Sequence, residues 1–281
     1  MSESHNISES HNISEIQNIS KNQINQTHKY KSQQLKNIDE ADKYSTTVNS
    51  SARYLTFRDI PGLLNRYNHK KKVLDYGSGT GISARFLSQQ KLDVTGSDIS
   101  TAMLEKAKKF VPEISFYLID KGILPFDDEQ FDIVFSCFVL LEIPTLDLIV
   151  SYLREGKRVL KKDGIFIGIA CSEHIPYHDW YIYDTLRYLQ TIKEENPLDF
   201  SKNKSIYNLL KSGDLTKQLL RDTNIEFENF YRTENDYTES FKKAGYTIQE
   251  IHYPLGKLDD PYSWKMEKTL SPFIIIVAKP L

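Results

Sequence analysis

The amino-acid sequence predicts an α/β fold: a doubly wound, seven-stranded sheet with an antiparallel last strand, plus a helical cap insertion. Three observations predict it. Short apolar segments alternate with helical patterns between residues 72 and 170, which is typical of parallel strands covered by helices on both faces. A glycine-rich turn follows the first of these segments. No helix-sized pattern separates the last two apolar segments, so we expect them to pair antiparallel.

The first 38 residues differ in composition from the remainder. Residues 2–7 read Ser-Glu-Ser-His-Asn-Ile, residues 8–13 repeat them, and residues 14–19 are a diverged third copy. The segment is polar, with Tyr30 as its one aromatic residue, and it has too little apolar surface to offset the entropy lost on ordering. We therefore predict a disordered low-complexity tail over residues 1–38 and one domain over residues 39–281.

The elements of that domain follow in order from the patterns. Residues 52–66 have helical periodicity interrupted at Pro61, Ser100 can cap the helix after the second strand, and Gly245 ends the last helix. The predicted strands are 72–76, 92–97, 115–119, 131–136, 165–170, 246–252 and 273–278. The predicted helices among them are 81–89, 100–110, 146–161 and 233–244.

Residues 172–232 interrupt the alternation of strands and helices. We predict a mainly helical insertion, with residues 205–222 as one helix, that covers the carboxyl edge of the sheet. The insertion is rich in aromatic residues, which either pack it onto the domain or line a pocket for a flat, apolar ligand. The aromatic residues are Tyr177, Trp180, Tyr181, Tyr183 and Tyr188.

Composition narrows the class of protein. The chain has 281 residues and a formal net charge of −2, which argues against a nucleic-acid-binding protein because these usually carry a basic excess. Its two cysteines, Cys137 and Cys171, lack metal-ligand spacing. The sequence shows no run of 18 apolar residues and no secretory leader. These observations predict a cytoplasmic protein without a membrane span.

Polar residues follow three of the predicted strands, at the sheet edge where open α/β sheets bind ligands. The glycine turn 77–81 follows the first strand, Asp98 the second and Asp120 the third. One carboxylate can accept hydrogen bonds from ribose hydroxyls and the other from an adenine amino group. A dinucleotide remains an alternative, because Gly79, Gly81 and Ala84 satisfy a relaxed dinucleotide motif. Asp75 speaks against it, since a carboxylate repels a pyrophosphate and attracts an ammonium group.

The sequence resembles the class I S-adenosylmethionine-dependent methyltransferases, which implies a Rossmann-like sheet and S-adenosyl-L-methionine as cofactor. The resemblance rests on ordered motifs at family spacing. They are 73–81 (Val-Leu-Asp-Tyr-Gly-Ser-Gly-Thr-Gly), 98–100 with Met103, 120–126, 131–134 (Phe-Asp-Ile-Val), 158–164 (Arg-Val-Leu-Lys-Lys-Asp-Gly) and 241–246 (Phe-Lys-Lys-Ala-Gly-Tyr).

The resemblance also implies roles for individual residues. The glycine turn would contact the methionine part of the cofactor, Asp98 its ribose and Asp120 its adenine amino group. Backbone at Cys137 and Phe138 would contact the ammonium group, and Tyr44 or Tyr54 would close over the cofactor. The full set of expected cofactor-binding residues is Tyr44, Asp75, Gly77, Ser78, Gly79, Asp98, Ile99, Met103, Asp120, Lys121 and Cys137.

Catalytic residues are harder to assign from sequence. Methyl transfer needs alignment and exclusion of water above all, and a general base only where the acceptor is a weakly acidic hydroxyl. The candidates are His174 and His178, just past the fifth strand, and Glu142, where relatives often carry histidine. Each can instead be a solvated residue without a catalytic role. The two histidines lack a third ligand for a metal, so we expect no metal site.

The acceptor is expected to be a small molecule methylated on O or N. The residues after the fourth strand, Ser136-Cys137-Phe138-Val139, lack the motif that amino-methylating DNA enzymes place there, and neither cysteine follows a proline as cytosine-carbon methylation requires. Methylation of RNA or protein, a non-catalytic cofactor-binding protein and a nicotinamide-dependent oxidoreductase remain alternatives. The oligomeric state is not predicted.

Overall fold

The structure is a computed structural model that describes residues 38–67, 71–120, 122–185 and 210–281, with backbone alone for residues 38–40. Residues 1–37 of the predicted tail and Lys121 therefore lie outside the described residues. The division of the chain at residue 38 stays a prediction. Among the described helices, none combines the length and the apolar composition that crossing a membrane requires.

The described residues form ten strands and seven α-helices. The strands are β1 (Lys72–Tyr76), β2 (Asp93–Asp98), β3 (Ser115–Leu118), β4 (Phe131–Cys137), β5 (Leu160–Cys171), β6 (Tyr183–Asp184), β7 (Leu215–Leu220), β8 (Ile225–Phe230), β9 (Tyr246–His252) and β10 (Phe273–Pro280). The helices are α1 (Ile38–Ser45), α2 (Ser51–Phe57), α3 (Ile60–Tyr67), α4 (Ile82–Gln89), α5 (Thr101–Phe110), α6 (Leu146–Val159) and α7 (Glu234–Lys243).

Seven of the strands form one sheet in the order β3-β2-β1-β4-β5-β10-β9. Strands β1 to β5 are parallel, and β10 lies antiparallel between β5 and β9. The predicted fold class is confirmed, including the antiparallel last strand. From β1 the chain builds the sheet first toward β3 and later toward β9, so the loops after β1 and β4 diverge at their carboxyl ends and open a crevice.

The core is divided between the two faces of the sheet, because successive strand residues point to opposite sides. Val73 and Ile133 pack on one face with residues from α3, α4 and α5. Leu74 and Val134 pack on the other face with residues from α6 and α7. The doubly wound arrangement that the alternation predicted thus buries both faces, which leaves the strand ends and loops to form sites.

The insertion differs from the sequence prediction. The described part of residues 172–232 contains a three-stranded antiparallel sheet, β6-β7-β8, and a short 3₁₀ turn at Ile175–Tyr177. The prediction of a helix over 205–222 is wrong for residues 215–220, which form β7. Residues 186–209, with Tyr188, lie outside the described residues.

Candidate functional site

The glycine turn after β1 has backbone geometry that glycine adopts without strain. Gly77, Gly79 and Gly81 have φ angles of 82°, 52° and 85°, in a region that side chains with a Cβ rarely occupy. A Cβ on Gly77 would lie 2.3 Å from the Val139 side chain. The N–H groups of Gly77 and Ser78 both donate to the carbonyl oxygen of Ser97, at 2.8 and 2.9 Å. These bonds attach the turn to the end of β2.

Asp98, at the end of β2, is held by the same turn. One carboxylate oxygen accepts the Gly79 N–H at 2.9 Å, and the other accepts the Ser100 N–H at 2.9 Å. Because a carboxylate oxygen can accept more than one hydrogen bond, this arrangement orients Asp98 and still suits it to accept from hydroxyl groups of a ligand.

Asp75 lies beneath the glycine turn and is fully buried. One of its carboxylate oxygens accepts from the Ser83 hydroxyl at 2.7 Å, and the other has no hydrogen-bond partner among the described residues. Burial raises the pKa of Asp75 to about 7. Buried hydroxyls of Ser78, Thr80 and Ser97 also lack partners among the described residues. The turn therefore covers polar atoms whose hydrogen-bonding capacity the described protein does not use.

Tyr44 covers the turn from the N-terminal side. A Cβ on Gly79 would lie 3.6 Å from the Tyr44 ring, and that ring meets Phe227 of β8 edge-to-face, with centroids 6.3 Å apart. The alternative candidate, Tyr54, is directed elsewhere, because its hydroxyl donates to Asp260 at 2.8 Å. Of the two tyrosines, Tyr44 is the one that the structure brings to the glycine turn.

The remaining expected cofactor residues follow β2, β3 and β4. Ile99 is half-buried and Met103 is buried in α5. Asp120 is exposed, and its carbonyl oxygen accepts the Ile123 N–H at 2.9 Å. Cys137 is buried at the end of β4, and burial raises the pKa of its thiol to about 12.

A cavity that opens to solvent adjoins this region. It lies among the N-terminal helices, the carboxyl ends of β4 and β5, and the β7–β8 hairpin of the insertion. Its lining is aromatic and polar together, with Phe138 and Phe227 beside Arg53, Glu142, Tyr183 and Asn229. Of the three catalytic candidates, the structure brings Glu142 alone into this cavity.

Among the described residues that line the cavity, Arg53 is the one with a cationic side chain. The side chain is 6% exposed, and its guanidinium donates to the Cys137 thiol at 3.2 Å and to the Tyr44 hydroxyl. The guanidinium carbon lies 5.0 Å from the ring centroid of Phe138 and 5.6 Å from that of Phe57. Among the described residues no carboxylate forms a salt bridge with Arg53.

The other titratable groups of the cavity are mostly held neutral. Burial raises the pKa of the Tyr183 phenol well above its usual value. Burial also raises the pKa of the Cys171 thiol to about 12, with a smaller contribution from Cys137. Among the described residues that line the cavity, Glu142 is the one carboxylate.

His174 and His178 lie outside that cavity. The 3₁₀ turn between them places their ring centroids 6.2 Å apart. His174 lines a separate, smaller cavity, and His178 packs edge-to-face with Trp180. Burial, followed by the nearby His174, lowers the pKa of His178. The catalytic roles of both histidines stay predictions, and within the described residues no group of three or more potential metal ligands is present.

Arg53 and Asn229 line the cavity but were not predicted from the sequence. Arg53 follows Ala52 on a helix whose residues are nearly all buried. A charged residue next to apolar residues of a helix is the sequence signal that could have indicated a functional arginine. Asn229 had no comparable signal, because its strand was not predicted.

Comparison with known proteins extends these observations. Residues 74–168 match the family described as "Methyltransferase domain". The uncharacterized methyltransferase YodH of Bacillus subtilis is 30% identical over 203 residues, which cover 68% of this chain and 79% of that protein. The ubiquinone/menaquinone biosynthesis C-methyltransferase UbiE of Bartonella tribocorum is 31% identical over 206 residues, which cover 69% of this chain and 72% of that protein.

Solved structures agree with the fold. A putative S-adenosylmethionine-dependent methyltransferase from Listeria monocytogenes has a TM-score of 0.55 at 19% identity, and the match covers 81% of this chain and 99% of that one. An S-adenosylmethionine-dependent methyltransferase from Mesorhizobium loti has a TM-score of 0.56 at 16% identity, with 83% and 99% covered. The chain therefore belongs to the class I S-adenosylmethionine-dependent methyltransferases and is an enzyme that uses S-adenosyl-L-methionine as its cofactor.

Proposed function

We propose that this methyltransferase acts on a small molecule held in the cavity that contains Arg53 and Glu142. The observation that carries the proposal is the cover over the sheet edge: the Tyr44 ring lies 3.6 Å from where a Cβ of Gly79 would be, and it meets Phe227 of the inserted hairpin edge-to-face. A cavity covered in this way suits an acceptor small enough to enter it, and it excludes water from the reacting atoms. A large, folded acceptor such as structured RNA suits it less well.

The residues of the turn fit the cofactor. Asp98 can accept from the ribose hydroxyls, and the buried Asp75 oxygen without a partner among the described residues can accept a hydrogen bond from the ammonium group. When bound, S-adenosyl-L-methionine supplies a methyl group already activated by its sulfonium. The protein is then left to position the acceptor and to take up its proton where the chemistry requires it.

Glu142 is the proposed proton acceptor. Transfer to a weakly acidic hydroxyl that still carries its proton needs a base within hydrogen-bond reach of the acceptor. Tyr183 and Cys171 are held protonated in the same cavity, and Arg53 has no capacity to accept a proton. His174 and His178 remain proposals for the same role.

Methylation of a ring carbon is a second candidate. The UbiE relative is named a ubiquinone/menaquinone biosynthesis C-methyltransferase, and other relatives are named demethylmenaquinone methyltransferases. The aromatic lining by Phe138, Tyr183 and Phe227 suits a flat ring of that kind. A ring hydroxyl beside the acceptor carbon would give its proton to Glu142, and the methylated carbon would then lose its own hydrogen as a proton, which would return to the ring oxygen.

The test is transfer of label from methyl-labelled S-adenosylmethionine into a fractionated cell extract, with wild-type protein and with Glu142→Gln, His174→Ala and His178→Ala. We expect label in the organic-soluble small-molecule fraction. We also expect Glu142→Gln to lower the rate by roughly 100-fold or more, with unchanged affinity for S-adenosylhomocysteine.

Label confined to RNA or protein would overturn the small-molecule proposal. A loss of activity in a histidine variant but not in Glu142→Gln would move the base from Glu142 to that histidine. The chemical structure of the labelled compound distinguishes methylation on oxygen or nitrogen from methylation on carbon.

A further inference from the structure

We propose that Arg53 is a carboxylate-binding residue: its guanidinium, buried between the glycine turn and the cavity, pairs with a carboxylate that a ligand brings into the site. The carboxylate belongs either to the amino-acid part of the cofactor or to the acceptor. This inference rests on the proposed cofactor site and acceptor cavity.

The charge and burial of Arg53 favour a bound carboxylate. A buried cation is strongly disfavoured unless a counter-charge accompanies it, and Arg53 is 6% exposed. Its two hydrogen-bond partners among the described residues are neutral groups, the Cys137 thiol and the Tyr44 hydroxyl. The thiol stays protonated because burial raises its pKa to about 12. A ligand carboxylate would supply the missing charge.

Other acidic groups nearby do not fill this role. Asp75 is close enough for Arg53 to lower its pKa, but its carboxylate is bound by Ser83 beneath the turn and forms no salt bridge with Arg53. Glu142 lines the same cavity, again without a salt bridge to Arg53. The Arg53 guanidinium therefore faces the same cavity as the Glu142 carboxylate, but the two groups form no salt bridge with each other.

Aromatic rings orient the Arg53 guanidinium and leave some of its donors available. The rings of Tyr44, Phe57 and Phe138 surround the guanidinium, with centroids 5.4, 5.6 and 5.0 Å from its central carbon. These rings favour a cation and hold its plane in place. A guanidinium has five N–H donors in a rigid planar fork that matches a carboxylate. Two nitrogens are used by Cys137 and Tyr44, which leaves donors for a ligand.

Arg53 lies between the expected cofactor site and the cavity. Arg53 touches Tyr44, whose ring lies against Gly79, and it also touches Cys137 at the end of β4. Those two points flank the region where the resemblance expects the amino-acid part of the cofactor. Arg53 also lines the cavity proposed for the acceptor. It is thus placed where either carboxylate would arrive.

Calorimetric titration of Arg53→Gln distinguishes the two sources. The ligands are S-adenosylhomocysteine and 5′-methylthioadenosine, which lacks the amino-acid part. Benzoate, a simple carboxylate, is then titrated into protein saturated with S-adenosylhomocysteine. If the cofactor supplies the carboxylate, the substitution weakens S-adenosylhomocysteine by roughly ten-fold or more and leaves 5′-methylthioadenosine unchanged. If the acceptor supplies it, both nucleosides bind as before and benzoate loses affinity by a similar factor.

Two further variants control for folding. Arg232 is also buried, at 3% exposure, but it donates to the carbonyl oxygens of Ile143 and Pro144. Arg232→Gln should lower the melting temperature without changing the relative affinities of the three ligands. Arg53→Met replaces the charged group with an apolar side chain. If Arg53→Gln folds poorly, Arg53→Met should show the change in ligand affinity expected of Arg53→Gln.

The proposal is overturned if Arg53→Gln and Arg53→Met change neither the ratio of the two nucleoside affinities nor the binding of benzoate. Failure of the proposed cofactor site would give a different result, because the wild-type protein would then bind neither nucleoside. In that case the proposed role of Arg53 is also wrong.

Discussion

Asp98 joins the glycine turn to the loop after β2, since its carboxylate accepts N–H groups from Gly79 and Ser100. We expect Asp98→Ala to weaken S-adenosylhomocysteine binding by about ten-fold or more, because charge-assisted hydrogen bonds to the ribose would be lost. Isothermal titration measures the effect. Asp93→Ala is the matched control, since Asp93 is exposed at the opposite end of the same strand. Equal affinity of the Asp98 variant and the wild type would refute the ribose assignment.

Asp75 gives the stability of the protein a predictable pH dependence. Burial raises its pKa from 3.8 to about 7 in the folded state. The folded protein therefore binds this proton more tightly than the unfolded chain does. The stability that Asp75 contributes is complete below about pH 4 and is lost as the pH rises to about 7.

Asp75→Asn removes that titration. We expect the free energy of unfolding of the wild type, relative to this variant, to fall between pH 4 and 7 and then to level off. The change should be on the order of a few kcal/mol, since each pKa unit corresponds to ~1.4 kcal/mol. Urea unfolding across this range measures it. A difference between the two proteins that does not vary with pH would contradict the raised pKa.

The glycine turn and Asp98 could be proposed as cofactor-binding residues from the sequence because the roles expected of them depend on local features, a backbone that needs glycine and a carboxylate at a strand end. Arg53 could not be assigned in the same way. Its position beside Cys137 depends on how α2 packs across β4, and 84 residues of chain separate the two. Chemistry that arises from such distant contacts leaves little trace in local patterns.

The inserted hairpin shows why one element was predicted incorrectly. Strand β7 alternates between exposed and buried residues, but two of its buried residues are polar, Thr216 and Gln218. The Gln218 amide donates to the Thr216 hydroxyl at 2.7 Å and accepts from Asn229 of β8 at 2.6 Å. Because these groups satisfy one another, the strand buries them without the alternating apolar pattern that predicts a strand. Leu215 and Leu219 instead face outward or lie half-buried.

Arg232 fastens the end of the insertion to the loop that follows Glu142. Its guanidinium donates to the carbonyl oxygens of Ile143 and Pro144, at 3.2 and 2.7 Å. We expect Arg232→Gln to lower the free energy of unfolding by about 1–3 kcal/mol, because it leaves buried acceptors unpaired. Arg66→Gln is the control: Arg66 is exposed and forms a surface ion pair with Glu250 at 3.6 Å, so its loss should cost less than about 1 kcal/mol. Similar losses in both variants, measured by chemical denaturation, would contradict the proposed attachment.

The central sheet was predictable because its strands obey simple rules. Strands β1, β4, β5 and β10 are buried on both faces and form short apolar runs, and the segments between the parallel strands have helical periodicity. The place of β10 between β5 and β9 was not predicted, since the apolar pattern shows that a strand is buried but not which neighbours it pairs with.

The division of the chain into a tail and a catalytic domain can be tested by truncation. Deleting residues 1–37 should change the melting temperature by no more than about 1 °C, because a polar segment contributes little burial to a folded domain. Differential scanning calorimetry measures this for the truncated and full-length proteins. A fall of several degrees would show that the segment packs on the domain and would move the predicted boundary.

The most direct test of the proposed function is a crystal structure of the protein with S-adenosylhomocysteine. We expect ribose hydroxyls on Asp98, the amino-acid part on the glycine turn beneath Tyr44, and a sulfur atom that faces the cavity containing Glu142 and Tyr183. A ligand bound with its sulfur directed away from that cavity, or bound elsewhere on the protein, would contradict the assignment of the cavity as the acceptor site.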